Sequence, residues 1–215
     1  MEADVKCFLL AEDSRAAADQ ALKLAKRAAV YSRPERVVTG LRLRAEAFLS
    51  AEEAGGALSD TLAAASLAEA MHLDAAHVRS SLTVVETLLR LESPAKQVNA
   101  TLTPILPRAL EGLGSLVRAR ACQLHAECLM KACAETESVP DKQVVKLVQQ
   151  ALEGYMSNGD INGVRDGLYI LARVHHWRGE IPLRNRMSYL FNQHVDGLGK
   201  QQSSWFVTKC DLENS

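Results

Sequence analysis

The chain repeats itself in steps of about 40 residues. Leu22, Leu62 and Leu102 stand on this step, as do Leu49, Leu89 and Leu129, and Ala25, Ala65 and Ile105; Val38 and Val78 share it. A period near 40 holds two helices with their turns, and one such unit cannot bury its apolar face alone, so neighbours must stack. The pattern therefore predicts an all-α fold, an α-solenoid of helical hairpins.

Local signals place about nine helices. Ser14 or Asp13 caps a helix reaching about Tyr31, and Pro34 opens the next, where its missing N–H costs nothing. That second helix reads to about Ala51, with Gly55-Gly56 as its breaker. Further helices are expected near 57–72, 75–92 and 95–111, with Asp74 and Ser93 as caps and Pro94 in a first turn. Pro104 and Pro107 fall inside the last of these, so a kink or short break is expected there. The remaining helices read near 115–133, 141–156, 161–177 and 182–196, with a longer polar loop over Glu135–Pro140. Repeated Gly and Pro breaks exclude a coiled coil, which needs a sustained heptad seam. Nine short helices also differ from the four long ones of a closed bundle. The reading is one helical-repeat domain over 1–199 and a flexible tail over 200–215, in which Trp205-Phe206-Val207 is an apolar docking spot.

Composition narrows the function. Lys and Arg number 25 against 26 Asp and Glu, which leaves no cationic excess of the kind that phosphate backbones require, so no nucleic-acid partner is expected. No apolar run approaches the roughly 18 residues of a membrane span. The acidic start, Met1-Glu-Ala-Asp-Val-Lys6, lacks a signal-peptide pattern. Five cysteines, an odd number, suit free thiols in a reducing compartment and read as small buried hydrophobes.

No nucleotide-loop, serine-hydrolase or zinc-protease motif occurs, and Gly112-Leu-Gly114 lacks both a preceding strand and a third glycine. Cys122, His125, Cys128 and Cys133 spread along one helix, so they do not converge on an ion. His72 and His77 straddle a turn without an acidic cluster. The expectation is no enzyme, no metal, no cofactor and no small-molecule substrate.

Small residues occupy positions where two helices of a hairpin cross closely. Ala45 takes this place on a first helix, with Phe48 a turn on and Ala57 on the second helix; Ala172 takes it in the last hairpin, where Gly179 closes the turn. These positions resemble tetratricopeptide landmarks, from which Val85, His125 and Arg184 depart.

The densest pattern lies near the C-terminus. Arg165, Asp166, Tyr169, Ala172, Arg173, His176 and Gly179 are followed after four residues by Arg184-Asn185-Arg186, then Leu190-Phe191. This spacing resembles the C-terminal tetratricopeptide region of the subunit 5 family of the anaphase-promoting complex (cyclosome), and Pro104-Ile-Leu-Pro107 looks like an upstream segment of it. Members of that family are much longer, so this chain would match their C-terminal part. The resemblance implies a non-catalytic scaffold in a nuclear and cytoplasmic ubiquitin ligase that drives mitotic exit, with other subunits of the complex as partners.

The residues themselves point to a docking face. Asp166, Tyr169, Arg173 and His176 follow one another at spacings 3, 4 and 3, a single helical stripe, and Trp177 is a candidate anchor beside it. The competing reading is internal: Asp166 pairs with Arg184 or Arg186, while Tyr169 and His176 pack under neighbouring helices. A free adaptor gripping peptides in its concave groove is the alternative function. Its carboxylate-gripping form is disfavoured because Arg42, Glu46, Arg79 and Glu86 mix signs along the groove stripe.

Overall fold

A computed structural model describes residues 2–10 and 13–195. Among them every regular element is a helix, and there are eleven of these. Two differences from the sequence reading account for the count. Glu2–Leu10 forms a helix, α1, that no sequence signal marked. The stretch expected as one helix over 95–111 splits into α6, Ala95–Leu102, and α7, Leu106–Glu111. Pro104 and Pro107 impose the split, since neither has an N–H to donate back along the helix.

The helices fall into two compact units, one within Met1–Leu113 and one within Gly114–Ser215. Residues 200–215, read as a tail, lie outside the described residues.

In the first unit the chain keeps a strict metre. Helices α2 (Ser14–Val30), α3 (Pro34–Ser50), α4 (Ala54–Ala70) and α5 (Asp74–Arg90) each have 17 residues and begin 20 residues apart. Two such steps make the 40-residue repeat. Each helix ends in the same turn, with its second residue in the left-handed region: Ser32, Glu52, His72 and Glu92 have φ of 50°, 61°, 54° and 53°. That geometry lets the next N–H reach back five residues, as Arg33 does to the Ala28 carbonyl at 3.0 Å and Glu53 to that of Phe48 at 2.8 Å. Gly55 and Gly56 are therefore not the breaker that the sequence suggested. They sit in the first turn of α4, and the turn is made by Ala51-Glu52-Glu53.

From α1 to α6 each helix packs on the next, and contacts also join α1 to α3 and α3 to α5. This pattern of neighbouring pairs with next-but-one contacts fits a helical-repeat stack. Small side chains permit it. Ala17, Ala21, Ala45, Ala47, Ala57, Ala64 and Ala68 are fully buried, with Leu43, Val38 and Val5 filling between them. At the α2–α3 crossing Gly40 lies so close that an added Cβ would stand 2.8 Å from the Ala25 nitrogen.

The second unit repeats the scheme with α8 (Ser115–Glu135), α9 (Lys142–Ser157), α10 (Ile161–Trp177) and α11 (Ile181–Val195). Its left-handed turn residues include Gly159 and Gly179, again 20 apart, at φ of 67° and 74°. Glycine adopts this conformation without the steric cost that other residues carry. Asp141 and Asp160 cap α9 and α10 by accepting the N–H groups of Gln143 and Gly163, at 3.2 and 3.0 Å. A cap of this kind stabilises a helix by about 1 kcal/mol.

Candidate docking surface on the last hairpin

Helix α10 is two-faced. Val164, Leu168, Leu171, Val174 and His175 recur at helical spacing and are buried, turning one side of α10 inward. Tyr169, Arg173, His176 and Trp177 are exposed on the other side, with Arg165 and Asp166 half-buried among them. Helix α11 returns after the three-residue turn 178–180 and lays Phe191 beside Tyr169, their ring centroids 6.1 Å apart and the planes tilted by 46°.

The stripe carries three local groups of contacts. The Arg173 guanidinium carbon sits 5.7 Å from the Tyr169 ring centre, within cation–π range. The Tyr169 ring is thus flanked by Phe191 and Arg173 yet remains 53% exposed. Arg165 and Asp166 form an ion pair at 3.6 Å. Arg184 on α11 donates to the side-chain Oδ1 of Asn185 from Nε at 3.1 Å and Nη2 at 2.7 Å, and its Nη1 lies 3.4 Å from His176 Nδ1. The hairpin thus brings Tyr169, Arg173 and Phe191 together, and His176 with Arg184 and Asn185. Arg186 on α11 is half-buried. Trp177, 36% exposed at the end of α10, is presented to solvent at its edge.

Ala172, expected at the close crossing, is only half-buried. The tight approaches fall on glycines. An added Cβ on Gly154 of α9 would stand 2.7 Å from Ala119 Cβ on α8; one on Gly163 would enter the Tyr155 ring, and one on Gly167 would meet Leu152 at 2.7 Å.

The residue that sequence reasoning missed is His175, buried beside the selected His176. Its Nδ1 donates to Glu180 Oε2 at 2.6 Å. Arg178 donates from Nε to the other Glu180 oxygen at 2.9 Å and from Nη1 to the Pro140 carbonyl at 3.2 Å. These bonds tie the α10–α11 turn to the loop before α9. The hydrogen bond from His175, aided by Arg178, holds the Glu180 carboxyl below its ordinary range despite partial burial. The signal was present in the sequence, since position 175 continues the inward series from Leu168 and Leu171.

In the first unit Arg42 and Glu46, four residues apart on α3, pair with each other. The Arg42 charge is therefore engaged within its own helix. In the second unit, burial pushes the Cys122 and Cys128 thiols up, as befits cysteines packed as apolar side chains, whereas Cys133 is half-buried and Cys7 on α1 exposed, unlike the buried hydrophobes expected. Burial pushes the His125 imidazole down. No described helix is long and apolar enough to cross a membrane.

No protein-family model matches the chain, and no curated protein matches it.

Proposed function

We propose that this chain is a non-catalytic scaffold built from tetratricopeptide-like hairpins, working in a cyclosome-type ubiquitin ligase through the exposed face of α10–α11. The observation that carries the docking role is the half-exposed Tyr169 ring, set beside Phe191 and Arg173 on the α10–α11 hairpin. Aromatic residues and arginine held in fixed positions are what partner surfaces favour, because little side-chain entropy is left to lose. The likeness of the Arg165–Phe191 pattern to cyclosome subunit 5 supplies the proposed assembly and, with it, a nuclear and cytoplasmic setting. The protein's part would be geometric: short turns and close helix crossings hold partners at fixed spacing, and chemistry belongs to other subunits.

Affinity purification of the tagged chain with mass spectrometry tests this. Cyclosome subunits should co-purify, and Tyr169→Ala with Arg173→Ala should reduce their recovery without reducing that of the bait. Recovery of chaperones alone would instead make the chain a free adaptor.

A further inference from the structure

Helices α3 and α10 are the same length, and each is followed two residues later by a left-handed turn residue, Glu52 and Gly179. They therefore correspond residue for residue: Glu35 with Asn162, Val38 with Arg165, Thr39 with Asp166, and Arg42 with Tyr169. On α3 these four positions form one wall of a cleft of about 320 Å³, whose other wall is the start of α5 from Leu73 to Arg79. Among the described residues of the second unit no helix follows α11, and none takes the place against this wall of α10 that α5 takes against α3. Exposure records the difference. The equivalent position is 1% exposed at Leu82 on α5, 18% at the Arg42 side chain on α3, and 53% at Tyr169.

Charge selects what belongs there. Residues 161–195 carry five arginines, at 165, 173, 178, 184 and 186, against two carboxylates, Asp166 and Glu180. Arg178 and Glu180 hold each other in the turn with His175, which leaves four arginines against Asp166, and Arg165 pairs with that carboxylate. A cationic, aromatic face that the fold elsewhere covers with a helix complements a helix with an apolar stripe and flanking carboxylates. Resting on the reading that α10–α11 docks a partner, we propose that this face takes an acidic amphipathic helix of a partner protein, laid along α10 as α5 lies along α3.

Two fluorescein-labelled 17-residue helical peptides provide the test, with the same leucine stripe at i, i+3, i+4 and i+7 and flanks of either Glu or Lys. Anisotropy with the full chain should show the Glu peptide binding at least about tenfold tighter, with the advantage shrinking as salt rises. Tyr169→Ala with Arg173→Glu should remove at least about tenfold of that affinity without lowering the melting temperature, whereas Arg36→Glu in the first unit should not change it. Equal binding of the two peptides, or indifference to the double variant, overturns the proposal. Tighter Glu-peptide binding by a chain ending at residue 199 would make residues 200–215 the occupant and overturn it too. So would a dimer that Tyr169→Ala dissolves in sedimentation. Cyclosome co-purification failing while the Glu peptide still binds removes the assembly and leaves the acidic helix; the reverse pair of results does the opposite.

Discussion

Arg44 on α3 holds Asp60 on α4 with both arms of its guanidinium, Nε to one carboxylate oxygen and Nη2 to the other. The Asp60 side chain is 5% exposed and that of Arg44 23%, so the pair is anchored on its acidic side. The hydrogen bond to Asp60 raises the Arg44 pKa, against the desolvation that lowers it. Removing either partner should be unequal in cost. Arg44→Ala strands a buried carboxylate and should cost about 3 kcal/mol, the lower part of the range for orphaning a buried charge. Asp60→Ala leaves a guanidinium that can turn to water, and should cost about 1–2 kcal/mol. Urea denaturation of both variants and their double should show this order, with the double costing less than the sum. Equal single costs would mean that Asp60 reaches water without Arg44.

The turns of the first unit carry a second prediction. Glu52 and His72 hold left-handed φ of 61° and 54°, where a Cβ is crowded by the backbone. Glu52→Gly and His72→Gly should each stabilise by about 0.5–1 kcal/mol, the relief of that crowding less glycine's greater freedom when unfolded. Gly179→Ala should destabilise by about 1 kcal/mol for the same reason in reverse, since nothing else hinders its Cβ. Thermal melting distinguishes the signs, and destabilisation by both glycine substitutions would show that the side chains at 52 and 72 hold their turns.

These turns also show what could be read from the chain before folding. Asp13, Pro34 and Gly179 announced their boundaries because each has a local reason to be there. Glu52 gave no sign, because glutamate rarely adopts the left-handed region, and Gly55-Gly56 drew the boundary toward themselves. The 40-residue step was legible as a period but not always as a face: Val38 and Val78 are both buried, whereas Leu22 is half-buried, Leu62 exposed and Leu102 buried. On α10 the outward stripe followed from spacing alone. The close crossings at Gly40 and Gly154 did not, because a close approach depends on the partner helix. His175 was passed over beside His176 for a related reason, since only the turn brings Glu180 to the buried imidazole.

The His175–Glu180 bond predicts an acid limb in stability. Glu180 is held below its ordinary value of 4.5, so folding favours its charged form. The contribution is fully present above the unfolded value, and is lost as pH falls from about 4.5 through the lower folded value. Urea midpoints measured between neutral pH and pH 3 should fall less steeply for Glu180→Gln than for the parent. Parallel curves would assign the acid limb to other carboxylates.

Helix α5 contains an opposite pair. Ser80 is fully buried, and its hydroxyl has no hydrogen-bond partner among the described residues. Thr87, equally buried, donates to the Thr83 carbonyl at 2.8 Å. Ser80→Ala removes an unsatisfied group and adds the best helix former, so it should stabilise by about 1 kcal/mol. Thr87→Ala loses a satisfied bond and a packed methyl and should destabilise by about 1–2 kcal/mol. Chemical denaturation of the two variants checks the difference in sign, and a loss at Ser80 would point to a water held beside its Oγ.

The last prediction separates the docking stripe from the scaffold beneath it. An alanine Cβ at Gly154 would stand 2.7 Å from Ala119 Cβ and 3.1 Å from the Ser115 carbonyl oxygen, neither of which can swing aside. Gly154→Ala should therefore force α8 and α9 apart and cost about 1–3 kcal/mol, as overpacking does. In a hairpin stack the loss should stay within the second unit, leaving amide exchange in α2–α5 unchanged. Arg173→Ala with His176→Ala removes exposed side chains whose contacts among the described residues are one cation–ring stacking and one 3.4 Å approach to Arg184. Surface changes of this kind usually stay within about 0.5 kcal/mol, so this variant should melt with the parent while its partner binding falls. If instead it melts as early as Gly154→Ala, and binding declines only in step with unfolding, Arg173 and His176 belong to the fold and the docking role fails.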